Sequence, residues 1–497
     1  MNTRSQNRVA SLLVAFGFLA LLVGLLATRL DPEWLIAGVL GGLAVALVLY
    51  DYRIGVVCLT LLLPWSGSAL LPQTRGFNVI NFLLLATLVA LVLRRSFGVG
   101  APAPLPRVVV WCYLLPIVVG VCLAWPHLPE GAANFPERIE PHIIQAFTPE
   151  SFLKGRFVKP LFFVLYAFLT AHAVRDSKKP ELYLIALGLS ALVPSFAIIG
   201  EVINGGDVMD RDAFLRGVGM QVNEYGMLLS LAAGPLLFLC VGSGPRHARL
   251  ASGVAFSIVT IAIFLTASRG AATAYMVIVG VWLLRRRKFT DVLLIVAVAA
   301  FAVVVMPDRI LERLTLGFQD VGQTDHGSGN DALTQGRGFI WSRLAPEFWV
   351  SPIWGRGLGS TAWNSAVTAG QVWILHPHNL YLAVLLDLGI LGFAAIMYLY
   401  FRYGRTFRAL SRESTLSPVL RDYFSGAFAS FLGMLAFAVT NGHYVPHPEQ
   451  TFLWLALGFA FAYWPLGQTS LKSVQGPPLD LLARSNLKPA TRVSGRR

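Results

Sequence analysis

Stretches of about 20 apolar residues, the length needed to cross a hydrocarbon core of roughly 30 Å, recur along this chain from Ala10 to Leu466. A soluble globule has no surface for so many such segments, because 55% of the 497 residues are hydrophobic and only 13% are charged. The chain is therefore expected to be an all-α polytopic membrane protein. The pattern predicts about fourteen spans, at 10–27, 34–50, 54–72, 78–93, 108–125, 157–174, 181–200, 224–242, 250–267, 271–284, 291–306, 379–401, 423–440 and 450–466. Pro64 and Ser66 interrupt the third, and the tenth is short.

Basic residues orient the spans, since loops rich in Lys and Arg stay in the cytoplasm. With the N-terminus inside, Lys and Arg concentrate in the segments assigned to the cytoplasm, such as Arg285-Arg286-Arg287-Lys288. Both termini are then cytoplasmic. The net charge of +14 follows from these membrane-flanking clusters and gives no reason to expect nucleic acid as a partner. Cys58, Cys112, Cys122 and Cys240 lie inside apolar spans without paired spacing, which argues against disulfides and a zinc site. The chain divides into a membrane domain, 1–466, and a polar, basic tail, 467–497, that reads as disordered and rests against membrane lipids.

Three outside segments are long enough to carry function: 126–156, 201–223 and 307–377. In the last, aromatic residues from Phe339 to Trp363 alternate with Arg337, Arg343 and Arg356, and part of the set has the spacing of a short helix on the membrane surface or over a cavity. The run Gly355-Arg356-Gly357-Leu358-Gly359 lacks the strand and helix context of a nucleotide loop and reads as a turn that positions Arg356 and the neighbouring tryptophans for a ligand or, equally, anchors them in the membrane interface.

The densest polar signal is His376-Pro377-His378-Asn379 at the outer mouth of the twelfth span, followed after nine residues by Gly389-Ile390-Leu391-Gly392. An imidazole titrates near pH 6.5, so His378 at a membrane–water boundary suits the role of general base toward a hydroxyl. His376 can orient the loop or an acceptor, and Asn379 can hold the His378 ring or cap the helix that begins there. No third ligand of the usual kind accompanies the two histidines, so zinc is not expected. Arg216, before the eighth span, and Arg269, between the ninth and tenth, fall on the outside against the charge rule. A bound anion explains such exceptions, and a guanidinium fork suits phosphate. Arg156 and Lys159 are secondary phosphate candidates, and Asp387, two turns below His378, reads as a helix-packing partner.

The His-Asn, nine residues, Gly-x-x-Gly pattern resembles the motif of the O-antigen ligase/polymerase superfamily, which includes O-antigen ligases, Wzy-type O-antigen or exopolysaccharide polymerases and protein glycan ligases. Arg337 to Gly359 is similar to that family's large periplasmic loop, and Ser268-Arg269-Gly270 resembles its Ser-Arg-Gly turn; the likeness covers residues 210–460. The resemblance implies a GT-C-type glycosyltransferase bundle in a bacterial inner membrane, with a periplasmic active site that needs no metal or other cofactor. It further implies an undecaprenyl-diphosphate-linked oligosaccharide as donor, its diphosphate bound by Arg216 and Arg269. The acceptor is a second lipid-linked glycan in a polymerase, or lipid A core or a protein in a ligase; fourteen spans tilt the reading toward a polymerase. His376, Asn379, Arg337 and Arg356 complete the candidate substrate-binding set. A flippase for the same lipid-linked sugars is the alternative from another class, and it has no need of the outer His-Asn motif.

Overall fold

The structure, a computed structural model, describes residues 32–66, 73–74, 77–98, 105–135, 147–205, 220–286 and 336–464. Expected spans 10–27 and 291–306, the candidate Arg216 and the tail 467–497 lie outside the described residues. What is described is helical, apart from a small antiparallel hairpin pairing Gln73–Thr74 with Phe77–Asn78.

Seven described helices are long and apolar enough to cross a membrane: Val79–Ser96, Arg107–Asn134, Pro149–Asp176, Pro180–Ile203, Val222–Cys240, Arg246–Leu265 and Leu380–Leu410. Further helices, Pro32–Tyr50, Tyr52–Leu62, Arg269–Arg286, Pro418–Phe437 and Thr451–Ala462, fall on other expected spans. The third expected span tightens into a 3-10 turn at Leu63–Trp65, where Pro64 removes a backbone donor. Outward faces carry exposed side chains such as Leu85, Ile185, Phe196 and Val254, a surface that suits lipid and not water.

Side-chain caps set the helix starts. Asn78 accepts from Ile80 N, Ser417 from Leu420 N, and Thr148 forms a capping box with Ser151. Helices 107–134 and 149–176 run past their expected spans at the end expected outside, and each contains a π turn, at Val110–Leu114 and Lys154–Val158.

Helix 222–240 is the hub, and small residues let its neighbours come close. Gly226, Ser230 and Gly234 recur every four residues on one face. A Cβ on Gly426 of helix 418–437 would stand 2.4 Å from the Gly234 carbonyl oxygen, so the two backbones touch there. Beside that contact the Ser430 hydroxyl accepts from Gly234 N at 3.2 Å and donates to Ser230 O at 3.0 Å. With Pro235 next in the chain, this hydroxyl ties the second helix into the backbone ladder of the first.

The two ends of the bundle differ. One holds Arg94 and Arg95 with Asp176, whose carboxylate also accepts from Tyr52 at 2.8 Å. The other gathers the starts of helices 222–240, 269–286 and 380–410, the turns 438–450, and the segment 336–379.

Helix 380–410 is not continuous. Gly389 has φ +63° and ψ −166°, a conformation reserved for glycine, and the segment 351–359 docks into the break. Ile390 N donates to Pro352 O at 2.8 Å, while Arg356 N and Gly357 N donate to Leu386 O and Asp387 O at 3.0 and 2.9 Å. A Cβ at Gly389 would meet Ile353 backbone at 2.4 Å. The first glycine of Gly-x-x-Gly is thus required by a chain crossing the helix, and part of the expected outer loop packs inside an expected span.

Candidate functional site

The turn between helices 246–265 and 269–286 builds one wall of a pocket. Ala267 adopts φ +49°, which reverses the chain and leaves Ser268 to cap the next helix. Ser268 Oγ accepts from Ala271 N at 3.4 Å and donates to Asn223 Oδ1 at 2.8 Å. Gly270 has no room for a side chain, since a Cβ there would lie 2.9 Å from the Phe437 ring. Each position of Ser-Arg-Gly therefore has a structural reason, and the arrangement aims Arg269 and the N-terminal end of an 18-residue helix at one space.

Arg337 reaches that space from the other side. The pocket is lined by Asn223, Ser268, Arg269, Arg337, Thr440 and Asn441, with Ala267, Gly270 and Phe437 completing the wall. Arg337 opens the short helix Arg337–Leu344, in line with the helical spacing of the aromatic segment. One turn on, Trp341 Nε1 donates to Pro377 O at 2.8 Å and ties this helix to the histidine loop.

His378 adopts φ +52°, so the two non-glycine residues with positive φ among the described ones, Ala267 and His378, both stand at this site. Its ring Nδ1 lies 3.5 Å from Asn441 Oδ1, a pocket residue. With the ring N–H donating to that oxygen, Nε2 carries the lone pair a base needs. The backbone N–H of His378 donates to His376 Nδ1 at 3.0 Å, which fixes the loop between them. Asn379 caps helix 380–410, its side chain accepting from Leu382 N at 3.0 Å. Capping accounts for this residue type by itself.

His376 is buried and turns toward a different set of groups. Its ring centroid lies 3.9 Å from that of His443, tilted by 46°, and the His443 ring stacks on His447 with centroids 4.4 Å apart. Burial first, then the neighbouring His443 and Arg156, holds His376 well below the ordinary imidazole range. The same causes push His443 down to about 3, with Arg156 as the leading charge. These rings are neutral near pH 7.

Arg356 is not brought to the pocket. It is ion-paired with Glu347, whose other oxygen accepts from Ser365 Oγ at 2.6 Å. The glycine run around it forms a cradle for this chain's own Asp387. Gly359 N, Ser360 N, Ser360 Oγ and Tyr444 OH all donate to that carboxylate, at 3.0, 2.9, 2.7 and 2.6 Å. Asp387 is thus the packing partner its position suggested, binding the loop to the span.

Sequence reading singled out neither Asn441 nor His443, His447 and Glu449. A signal was present: four of the nine histidines fall in two short segments expected outside, 376–378 and 443–447. Nothing local says that those segments meet.

Residues 254–397 match a family model described as O-Antigen ligase. The matched segment carries Arg269, Arg337, His376, His378, Asn379 and the Gly389 break, while Asn223 and the turn 440–449 lie beyond it. No curated protein matches the chain. The match falls on the pocket and the histidine loop together, and over those residues it supports a likeness to the O-antigen ligase/polymerase superfamily.

Proposed function

We propose that this protein is an inner-membrane glycosyltransferase that moves a glycan from undecaprenyl diphosphate to an acceptor hydroxyl at the periplasmic face, polymerising O-antigen or exopolysaccharide repeat units. The observation that carries the reading is the convergence of Arg269, Arg337 and a helix N-terminus on one pocket whose Asn441 reaches His378. Two guanidinium groups and the positive end of a helix dipole are what a departing diphosphate requires.

In the proposed step the acceptor hydroxyl gives its proton to His378 while its oxygen bonds to the anomeric carbon. The bond from that carbon to the phosphate oxygen breaks, and undecaprenyl diphosphate leaves with the electron pair. The charge on the leaving group is met by arginine, so the step calls for no divalent cation, and a chelator is expected to leave transfer intact. Arg216, placed outside by the charge rule, is a third candidate for the same diphosphate.

The test is His378→Ala in purified, membrane-reconstituted protein supplied with lipid-linked repeat units. Loss of the base is expected to slow transfer by about 10²–10⁴-fold without loss of folded protein. Transfer at the normal rate would remove His378 from the chemistry. Products longer than one repeat on the lipid carrier would mark a polymerase. Transfer only to lipid A core would mark a ligase, and movement of the lipid across the membrane without a new glycosidic bond would mark a flippase.

A further inference from the structure

Three pairs of near neighbours in sequence divide between the pocket and a second, buried cluster of side chains. Asn223, His378 and Asn441 belong with the Arg269–Arg337 pocket. Glu224, His376 and His443 belong to a second group of side chains between helix 149–176 and the turn 443–450. There His376, His443 and His447 follow one another in ring contact, the first pair tilted and the second stacked. Arg156 acts electrostatically on all three, and Lys159, one helical turn on, feels the charges of Glu224 and Glu449.

This second group has unmet hydrogen-bonding capacity. His376 Nε2, His443 Nδ1 and Glu449 Oε2 are buried without a hydrogen-bond partner, although Glu449 is only 2% exposed and His376 9%. Native proteins seldom leave such atoms unsatisfied, so their clustering marks a place where another molecule supplies the partners. Among the described residues no carboxylate lies within 4.0 Å of Arg156, whereas Arg53, Arg94, Arg95 and Arg356 all have one. Arg156 also sits in the π turn Lys154–Val158, beside Gly359, and such turns redirect a side chain out of regular helical phase.

The chemistry of the group is specific. Burial and neighbouring charge keep the three imidazoles neutral, able to donate and accept at once. Burial and the nearby Glu224 carboxylate raise Glu449 far above the ordinary carboxyl range, so it carries a hydroxyl that donates. Neutral donors and acceptors suit sugar hydroxyls, and one guanidinium suits a phosphate.

We propose that this second cluster, built on Arg156, His376, His443, His447 and Glu449, is the acceptor site, holding the phosphorylated sugar headgroup of the second lipid across the His376–His378 loop from the donor. The proposal rests on the transferase reading above and adds where the second substrate lies. His376 and His378 then do different work, the first facing the acceptor's headgroup and the second the bond being made.

The test is the binding stoichiometry of anionic glycolipid on the full-length protein in lipid nanodiscs, with undecaprenyl diphosphate and phosphorylated lipid A as probes. Wild type is expected to bind two lipids per chain: two undecaprenyl diphosphates for a polymerase, or one of each probe for a ligase. Arg156→Gln should lose one and keep the other, and Arg269→Ala should do the converse. Arg156→Lys, which keeps charge and fold but not the planar fork, should weaken the second site about tenfold while donor binding is unchanged. Saturation of wild type at one lipid with both probes present would overturn the proposal, as would full retention of both sites in Arg156→Gln with an unaltered thermal transition. If Arg269→Ala keeps both lipids while Arg156→Gln loses one, the donor assignment falls and the acceptor site stands.

Discussion

The indole N–H of Trp341 donates a 2.8 Å hydrogen bond to the carbonyl oxygen of Pro377, the residue before His378. Arg337 lies four residues earlier on the same short helix and lines the pocket with Arg269. Residues four apart share a helix face, so a single face carries both a pocket cation and a strut for the histidine loop. A phosphate held by Arg337 would steady that helix and, through Trp341, the backbone of the proposed base.

Trp341→Phe keeps the ring and removes the N–H. The lost hydrogen bond, about 1 kcal/mol, is expected to lower turnover roughly five- to tenfold while the donor concentration at half-saturation changes less than about twofold. Steady-state kinetics on reconstituted protein would check it. Unchanged turnover would show that the strut does not position His378.

Asn379 separates capping from substrate contact. Asp caps a helix as well as Asn, so Asn379→Asp should preserve both stability and transfer, while Asn379→Ala should cost about 1 kcal/mol of stability. Thermal unfolding and transfer assays on the pair would decide. Strong loss of transfer in the Asp variant with normal stability would point to a direct role for the amide.

Asp387 accepts four hydrogen bonds inside the broken helix. Asp387→Ala strands all four donors, and the expected cost is at least about 3 kcal/mol. Asp387→Asn retains an acceptor oxygen and should be milder. The measurement is the detergent-resistant folded fraction, and wild-type stability of the Ala variant would contradict the cradle.

Gly389→Ala should be worse tolerated than an alanine at Gly280, where nothing lies within 4 Å of an added Cβ. At Gly389 the Cβ meets backbone at 2.4 Å and φ is +63°, so the inserted segment 351–359 must move. The strain alone is worth about 1–3 kcal/mol. Limited proteolysis of that segment would report its release, and equal protection in the two variants would argue against the insertion.

The clustered histidines set a pH dependence. His443 is ordinarily half-protonated at 6.5, and the fold pushes it down to about 3. Below 6.5 the unfolded chain is then the better proton binder, so stability is full above that pH and falls as pH drops toward 3. His376 and His447, lowered by the same burial, act in the same direction. Glu449 acts oppositely, its stabilisation growing as pH falls from its raised folded value toward 4.5, but it is one group against three imidazoles. The thermal midpoint should therefore fall between pH 7 and about 5, and fall less in His443→Gln. A flat profile in wild type would mean that these rings are not buried neutral.

Much of the architecture is legible in sequence because the choice between water and hydrocarbon is made locally. The run expected at 181–200 lies inside helix Pro180–Ile203, and that at 78–93 begins one residue before Val79–Ser96, at its cap Asn78, since about 20 apolar residues suffice to decide the matter. Asn379 is legible for the same reason: a cap acts on a backbone N–H three residues away.

What tertiary structure alone decided is which residues of the expected outer segments meet. Asn441 comes to His378 across 63 residues, and His443 comes to His376, because glycines and serines bring helices 222–240 and 418–437 into backbone contact. The same packing gives Arg356 to Glu347 and the glycine run to Asp387, so side chains that read alike as outer cations part ways. Hydrophobic run length places a helix across a membrane but says nothing of its rotation or its neighbours, and those are set by close packing and by hydrogen bonds that only the assembled bundle can form.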